Sequence, residues 1–87
     1  VFIILVYDIG EERVAKVLKK SRQYLYWVQN SVFEGDISPA KFKKLKDELT
    51  KIIDKDKDSV IIYHLRTTKY TAREVIGLQK GEQENIL

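Results

Sequence analysis

The chain has 87 residues, 44% of them hydrophobic and 33% charged, with one tryptophan, one histidine and neither cysteine nor methionine. That length bounds the protein to one small domain, and the missing cysteines exclude disulfides and thiolate metal centres; a lone histidine also speaks against a zinc site made by one chain. Formal charge is +3, yet 15 bases and 10 acids precede Glu74 while one base and three acids follow from there, so a basic body carries an acidic end, as suits a polyanionic partner.

Val1 to Tyr7 is an unbroken apolar run, which predicts a strand with both faces covered and a place in the centre of a sheet. Asp8 closes that run and Gly10 lets the chain turn. A lone carboxylate between a buried strand and a helix has two readings, a ligand for a hard cation or a cap for backbone N–H groups at the helix entrance. Glu11 and Glu12 suit the positive end of that helix, and Val14, Val17, Leu18, Ser21, Tyr24 and Leu25 recur at the spacing of one buried face. Arg13, Lys16 and Lys20 form a basic stripe, either a solvated face or a set of phosphate contacts whose binding would be sequence-blind and salt-sensitive.

Residues 26–36 are rich in aromatic and β-branched types and predict two short strands, Tyr26–Gln29 and Val32–Glu34, joined through Asn30 and Ser31; one bulged strand is the alternative. Ser38 as N-cap and Pro39 at the first helical position open a second helix. Its apolar face is Phe42, Leu45, Leu49, Ile52 and Ile53, with Lys41, Lys43, Lys44, Lys46 and Lys51 outside. Residues 54–58 read as a polar loop, Ser59–Leu65 as an apolar strand, Arg66–Arg73 as irregular and Glu74–Leu78 as a short final strand. Residues 1–79 are expected to form the domain and 80–87 a mobile or partner-docked tail. No apolar run approaches the ~18 residues of a membrane span, so no membrane partner and a cytoplasmic location are expected. His64, solitary within a strand, reads as a packing or edge residue before a general base. Tyr7, Tyr24, Tyr26, Trp27 and Phe33 are able to stack on bases, although most read as core or dimer contacts.

Strand, helix, two strands, helix, strand is the order of a ferredoxin-like βαββαβ α+β sandwich, an antiparallel sheet with two helices on one face, here with an extra short C-terminal strand. Two helices cannot cover both faces of strands that are apolar on both. A two-fold homodimer packed sheet to sheet would supply the cover, bring two copies of Asp8 together, and let the last strand pair with a partner's edge.

The opening Val-Tyr-Asp with its following Glu-Glu-Arg-Val, the Val-Gln-Asn-Ser-Val-Phe-Glu-Gly run from Val28 to Gly35, and Val-Ile-Gly from Val75 to Gly77 resemble the Cas-two family of CRISPR-associated proteins, in order from Phe2 to about Gly77. The resemblance implies a ferredoxin-like homodimer that works with the Cas-one integrase in acquiring spacers from foreign DNA. It also implies a metal-dependent endonuclease acting on single-stranded RNA or double-stranded DNA. Asp8 would be the catalytic residue and the ligand for magnesium or another divalent cation, with Tyr7, Arg13, Ser31 and Phe33 in the surrounding motif positions. Trp27 departs from the pattern, standing where some members carry a basic residue. The alternative within the same resemblance is a non-catalytic structural homodimer that bridges the integrase and holds spacer DNA. A small-ligand regulatory domain, suggested by fold analogy alone, lacks a glycine-rich loop and ranks last.

Overall fold

The chain runs β1 (Phe2–Asp8), α1 (Glu11–Arg22), β2 (Tyr26–Gln29), β3 (Val32–Asp36), α2 (Pro39–Ile52), β4 (Ser59–Arg66) and β5 (Lys69–Gly77). The structure is a computed structural model that describes residues 1–66 and 69–78, the backbone alone for 69–71. The strands form one sheet in the order β2-β3-β1-β4-β5, each neighbouring pair antiparallel. β1 therefore takes the central place that its continuous apolar run demands, and the fold is the expected α+β sandwich.

Burial alternates along β1. Ile3, Leu5 and Tyr7 point to the helices and join Phe33, Val60, Ile62, Val17 of α1, and Phe42, Leu45 and Leu49 of α2 in a single core. The opposite face of β1 carries Phe2, Ile4 and Val6, all half-buried. The strand register places Val32, Val6, Ile61 and Val75 in one row across that face and Ile4 beside Tyr63 in the next. Among the described residues no helix covers this apolar surface, because both pack on the other side. Nor is either helix long and apolar enough to cross a membrane.

Both helices start as their sequences direct. The Ser38 hydroxyl accepts the Lys41 N–H at 3.2 Å and Pro39 occupies the first turn of α2. Helix α1 carries Glu11 and Glu12 in its first turn and Lys19, Lys20 and Arg22 in its last, matching the helix dipole at both ends. It stops three residues before its apolar repeat does. The Tyr24 and Leu25 N–H groups fold back onto the Ser21 carbonyl at 3.1 and 2.9 Å, and Leu25 reaches the core from the connection.

Two expectations change in detail. Residues 26–36 form two strands and also a bulge, since Trp27 opposes Phe33 while Gln29 opposes Val32, which leaves Val28 as the extra residue. The segment 66–73, read as irregular, is largely β5, a nine-residue strand beginning at Lys69. Its Lys, Thr and Arg content suits a sheet edge, where charge discourages further pairing. β5 pairs with β4 of its own chain, from Arg66↔Lys69 to Ser59↔Gly77, and forms one edge of the sheet. The tail assigned to 80–87 lies outside the described residues.

Gly77 closes β5 at φ +93°, and a Cβ there would run into the Asp58 carbonyl oxygen and sit 3.1 Å from Ile53 Cδ1. Gly77→Ala should therefore cost at least about 1–2 kcal/mol from the left-handed conformation alone. Thermal denaturation measures the loss.

Candidate functional site

Asp8 is the last residue of β1, exposed, on the sheet face that the helices leave open, opposite Ser59 in the register. Tyr7 points the other way. Its N–H donates to the Ser31 carbonyl at 3.0 Å, its hydroxyl lies 3.5 Å from the Asn30 carbonyl, and its ring centroid is 6.1 Å from that of the fully buried Phe33. Asn30 takes a positive φ of 43°, which asparagine tolerates better than most residues. Tyr7, Ser31 and Phe33 thus gather around the strand end that presents Asp8.

The carboxylate at the entrance of α1 comes from Asp58. Gly10 is the N-cap, and its N–H donates to Asp58 Oδ1 at 2.8 Å. Arg13 donates from Nε and Nη2 to the two oxygens of the same carboxylate, at 2.5 and 2.9 Å, and the Asp54 N–H adds a contact to Oδ2 at 2.8 Å. The Asp58 carbonyl also accepts the Leu78 N–H at 2.8 Å. The hydrogen bonds from Arg13 hold the Asp58 carboxyl well below the usual carboxylate range; burial opposes them, and the Asp54 and Gly10 N–H groups reinforce them. Reciprocally, Asp58 raises the Arg13 pKa above its already high ordinary value.

The basic stripe read from the sequence is divided by this arrangement. Arg13 turns inward to Asp58, Lys20 lies 3.8 Å from Glu48 of α2, and Lys16 is exposed. Asp58 was not singled out by sequence reasoning, because the run Asp54-Lys-Asp-Lys-Asp58 has one uniform polar character. Its only distinguishing mark is its place directly before the apolar strand β4. Ser21 was likewise read as one more position of a buried face; it is fully buried, and its hydroxyl has no protein partner.

Among the described residues no three His, Asp or Glu side chains gather into a metal cage. An exposed carboxylate at a strand end nevertheless fits magnesium, which takes one or two carboxylates and keeps several waters. His64 stands far from Asp8. Its register partner on β1 is Ile3, five residues from the Asp8↔Ser59 pair, or roughly 17 Å along the strand. The imidazole instead meets the Phe42 ring edge-on at 5.1 Å and places Nε2 3.2 Å from Glu74, which Lys46 also contacts at 3.0 Å. Burial pushes the Glu74 carboxyl up, but those two partners outweigh it and leave its pKa lowered.

The family model for CRISPR associated protein Cas2 matches residues 1–73. A CRISPR-associated endoribonuclease Cas2 from Dictyoglomus turgidum is 50% identical over 86 residues, covering 99% of both chains. One from Thermotoga maritima, of the same description, is 51% identical over 81 residues and 93% of each chain. A crystal structure of cas2 superposes with a TM-score of 0.72 at 41% identity, covering 99% of this chain and 97% of the other.

The depressed pKa of Asp58 fixes the direction of the acid response. The unfolded carboxyl, with a pKa of about 3.9, binds its proton more tightly than the folded one, so this pair stabilises the fold fully above about pH 5 and progressively less as pH falls below it. Asp58→Asn should lower the melting temperature at neutral pH by about 10 °C or more and flatten the loss of stability between pH 5 and 2. Melting curves across that range check both effects.

Proposed function

We propose, from the fact that this chain belongs to the Cas2 family of CRISPR-associated proteins, that it is a metal-dependent endoribonuclease working as a homodimer in the cytoplasm. The observation that carries this reading is the position of Asp8 at the rim of an apolar sheet face that no helix covers among the described residues. A two-fold partner packed on that face hides Phe2, Ile4, Val6, Ile61 and Tyr63, and brings a second Asp8 toward the first. Two carboxylates are what a magnesium site asks of a protein. A bound divalent cation would supply a nucleophilic water near neutral pH and offset charge growing on the phosphate.

The remaining residues position. Tyr7 locks the end of β1 to the Asn30–Ser31 turn, and Asp58 locks the turn that follows Asp8. Lys16, exposed on α1, is available to a phosphate of the bound strand, a contact that weakens as salt rises.

The second reading, a structural dimer that bridges the CRISPR integrase and holds spacer DNA, is favoured by the distance of His64 from Asp8, which leaves no imidazole poised as a base. The exposed Lys41, Lys43, Lys44 and Lys51 of α2 suit a duplex backbone equally well. In the nuclease reading, RNA cleavage by purified protein falls to the chelator background in Asp8→Asn while the melting temperature holds. Persistence of cleavage in that variant overturns the metal assignment, and absence of cleavage in the parent with any divalent cation favours the structural dimer.

Ile61→Glu puts a charge in the middle of the open face and should convert a dimer into a species of the single-chain mass, 10.2 kDa. Light scattering at matched concentrations distinguishes the two states.

A further inference from the structure

We propose that Trp27, with Arg22 over one face of its ring, is a stacking platform for an unpaired nucleobase of the RNA strand, a subsite that rests on the nuclease reading for its role but not for its chemistry. Trp27 lies on the edge strand β2 and is 51% exposed, the chain's largest apolar side chain left in water. Every residue of β2 is exposed. The strand therefore adds little to the core. An edge strand that only completed a sheet would be expected to carry charge or proline, which deter pairing; Tyr26, Trp27 and Val28 are the opposite choice.

The indole is held in a defined orientation. Nε1 donates to the Asn30 carbonyl at 2.9 Å, and the Arg22 guanidinium carbon lies 5.5 Å from the ring centroid. The bulge at Val28 breaks the register just after Trp27, the kind of irregularity that re-aims a side chain at a sheet edge. An oriented, half-exposed indole with a cation beside it matches what single-stranded nucleic acid needs: a π-face for a base and positive charge for its backbone. Arg22 also belongs to the basic last turn of α1 with Lys19 and Lys20. A paired base offers its face only to its stacked neighbours, so the platform selects unpaired strands.

One turn connects this platform to the strand that ends in Asp8. The Asn30 carbonyl that receives the Trp27 indole is the one facing the Tyr7 hydroxyl, and Tyr7 immediately precedes Asp8. β2 stands two strand spacings from β1, about 10 Å. Through Phe33, Trp27 shares the row of Leu5 on the helix-facing side of the sheet, three residues and roughly 10 Å along β1 from Asp8, which faces the other way, so a strand seated on Trp27 reaches the carboxylate only by passing around the β2 edge.

Trp27 is the only tryptophan, so its fluorescence reports on this position alone. Titration of the full chain with a short single-stranded oligoribonucleotide in chelator should quench the emission, and Asp8→Asn should quench equally. Trp27→Ala should weaken binding of the labelled oligonucleotide roughly tenfold by anisotropy, with Trp27→Phe retaining most of the affinity. Unchanged emission when anisotropy shows the strand bound overturns the proposal, as does an unchanged Kd in Trp27→Ala. Equal quenching by a blunt DNA duplex overturns the selection for unpaired bases. Quenching without cleavage under any divalent cation supports the platform and removes only the metal-dependent nuclease reading.

Discussion

The carboxylate of Asp58 is the constraint that the site depends on. It is fully buried, and it compensates its own desolvation by accepting two hydrogen bonds from Arg13 and one each from the Gly10 and Asp54 backbone. Four segments meet there: the turn after β1, the first turn of α1, the exit of α2 and the start of β4. Removing the carboxylate would leave a cation and two backbone donors without their acceptor. The turn that follows Asp8 is therefore set by a residue 48 positions after Gly10, and the exposed acid owes its fixed place to a buried one.

The sheet separates two tasks by face. Toward the helices, Ile3, Leu5, Phe33, Val60 and Ile62 build a core that serves stability. On the other side, half-buried aliphatic residues and Asp8 share a surface that neither helix covers. A strand apolar on both sides is costly for a lone small domain, and it makes sense when the second side is reserved for association. The two sheet edges differ as well, since β5 carries Lys69 and Arg73 while β2 carries aromatic side chains.

Much of this architecture is legible in the residue order because each element announces itself locally. The unbroken run before Asp8, the Ser38-Pro39 start and the heptad-like face of Phe42, Leu45 and Leu49 rest on periodicity and capping, which act over a few residues. β5 is harder to read, because its first half, Lys-Tyr-Thr-Ala-Arg, has no apolar run and looks like a loop until a partner strand is specified. The inward turn of Arg13 was hidden for a related reason: nothing in the sequence near position 13 says that a carboxylate 45 residues away will claim it. Asp8 stood out by contrast with its apolar neighbours, whereas Asp58 was camouflaged among Asp54 and Asp56. Long-range polar contacts leave no periodic trace, and the candidate site is made mostly of them.

The hydrogen bond from the Leu78 N–H to the Asp58 carbonyl has a practical corollary. The exit of β5 is fastened to the same residue that organises the entrance of α1, so a pull applied just beyond Leu78 is felt at the base of the Asp8 turn. An affinity tag, surface tether or fusion partner joined there without slack would load that hydrogen bond directly, whereas a flexible spacer would isolate it.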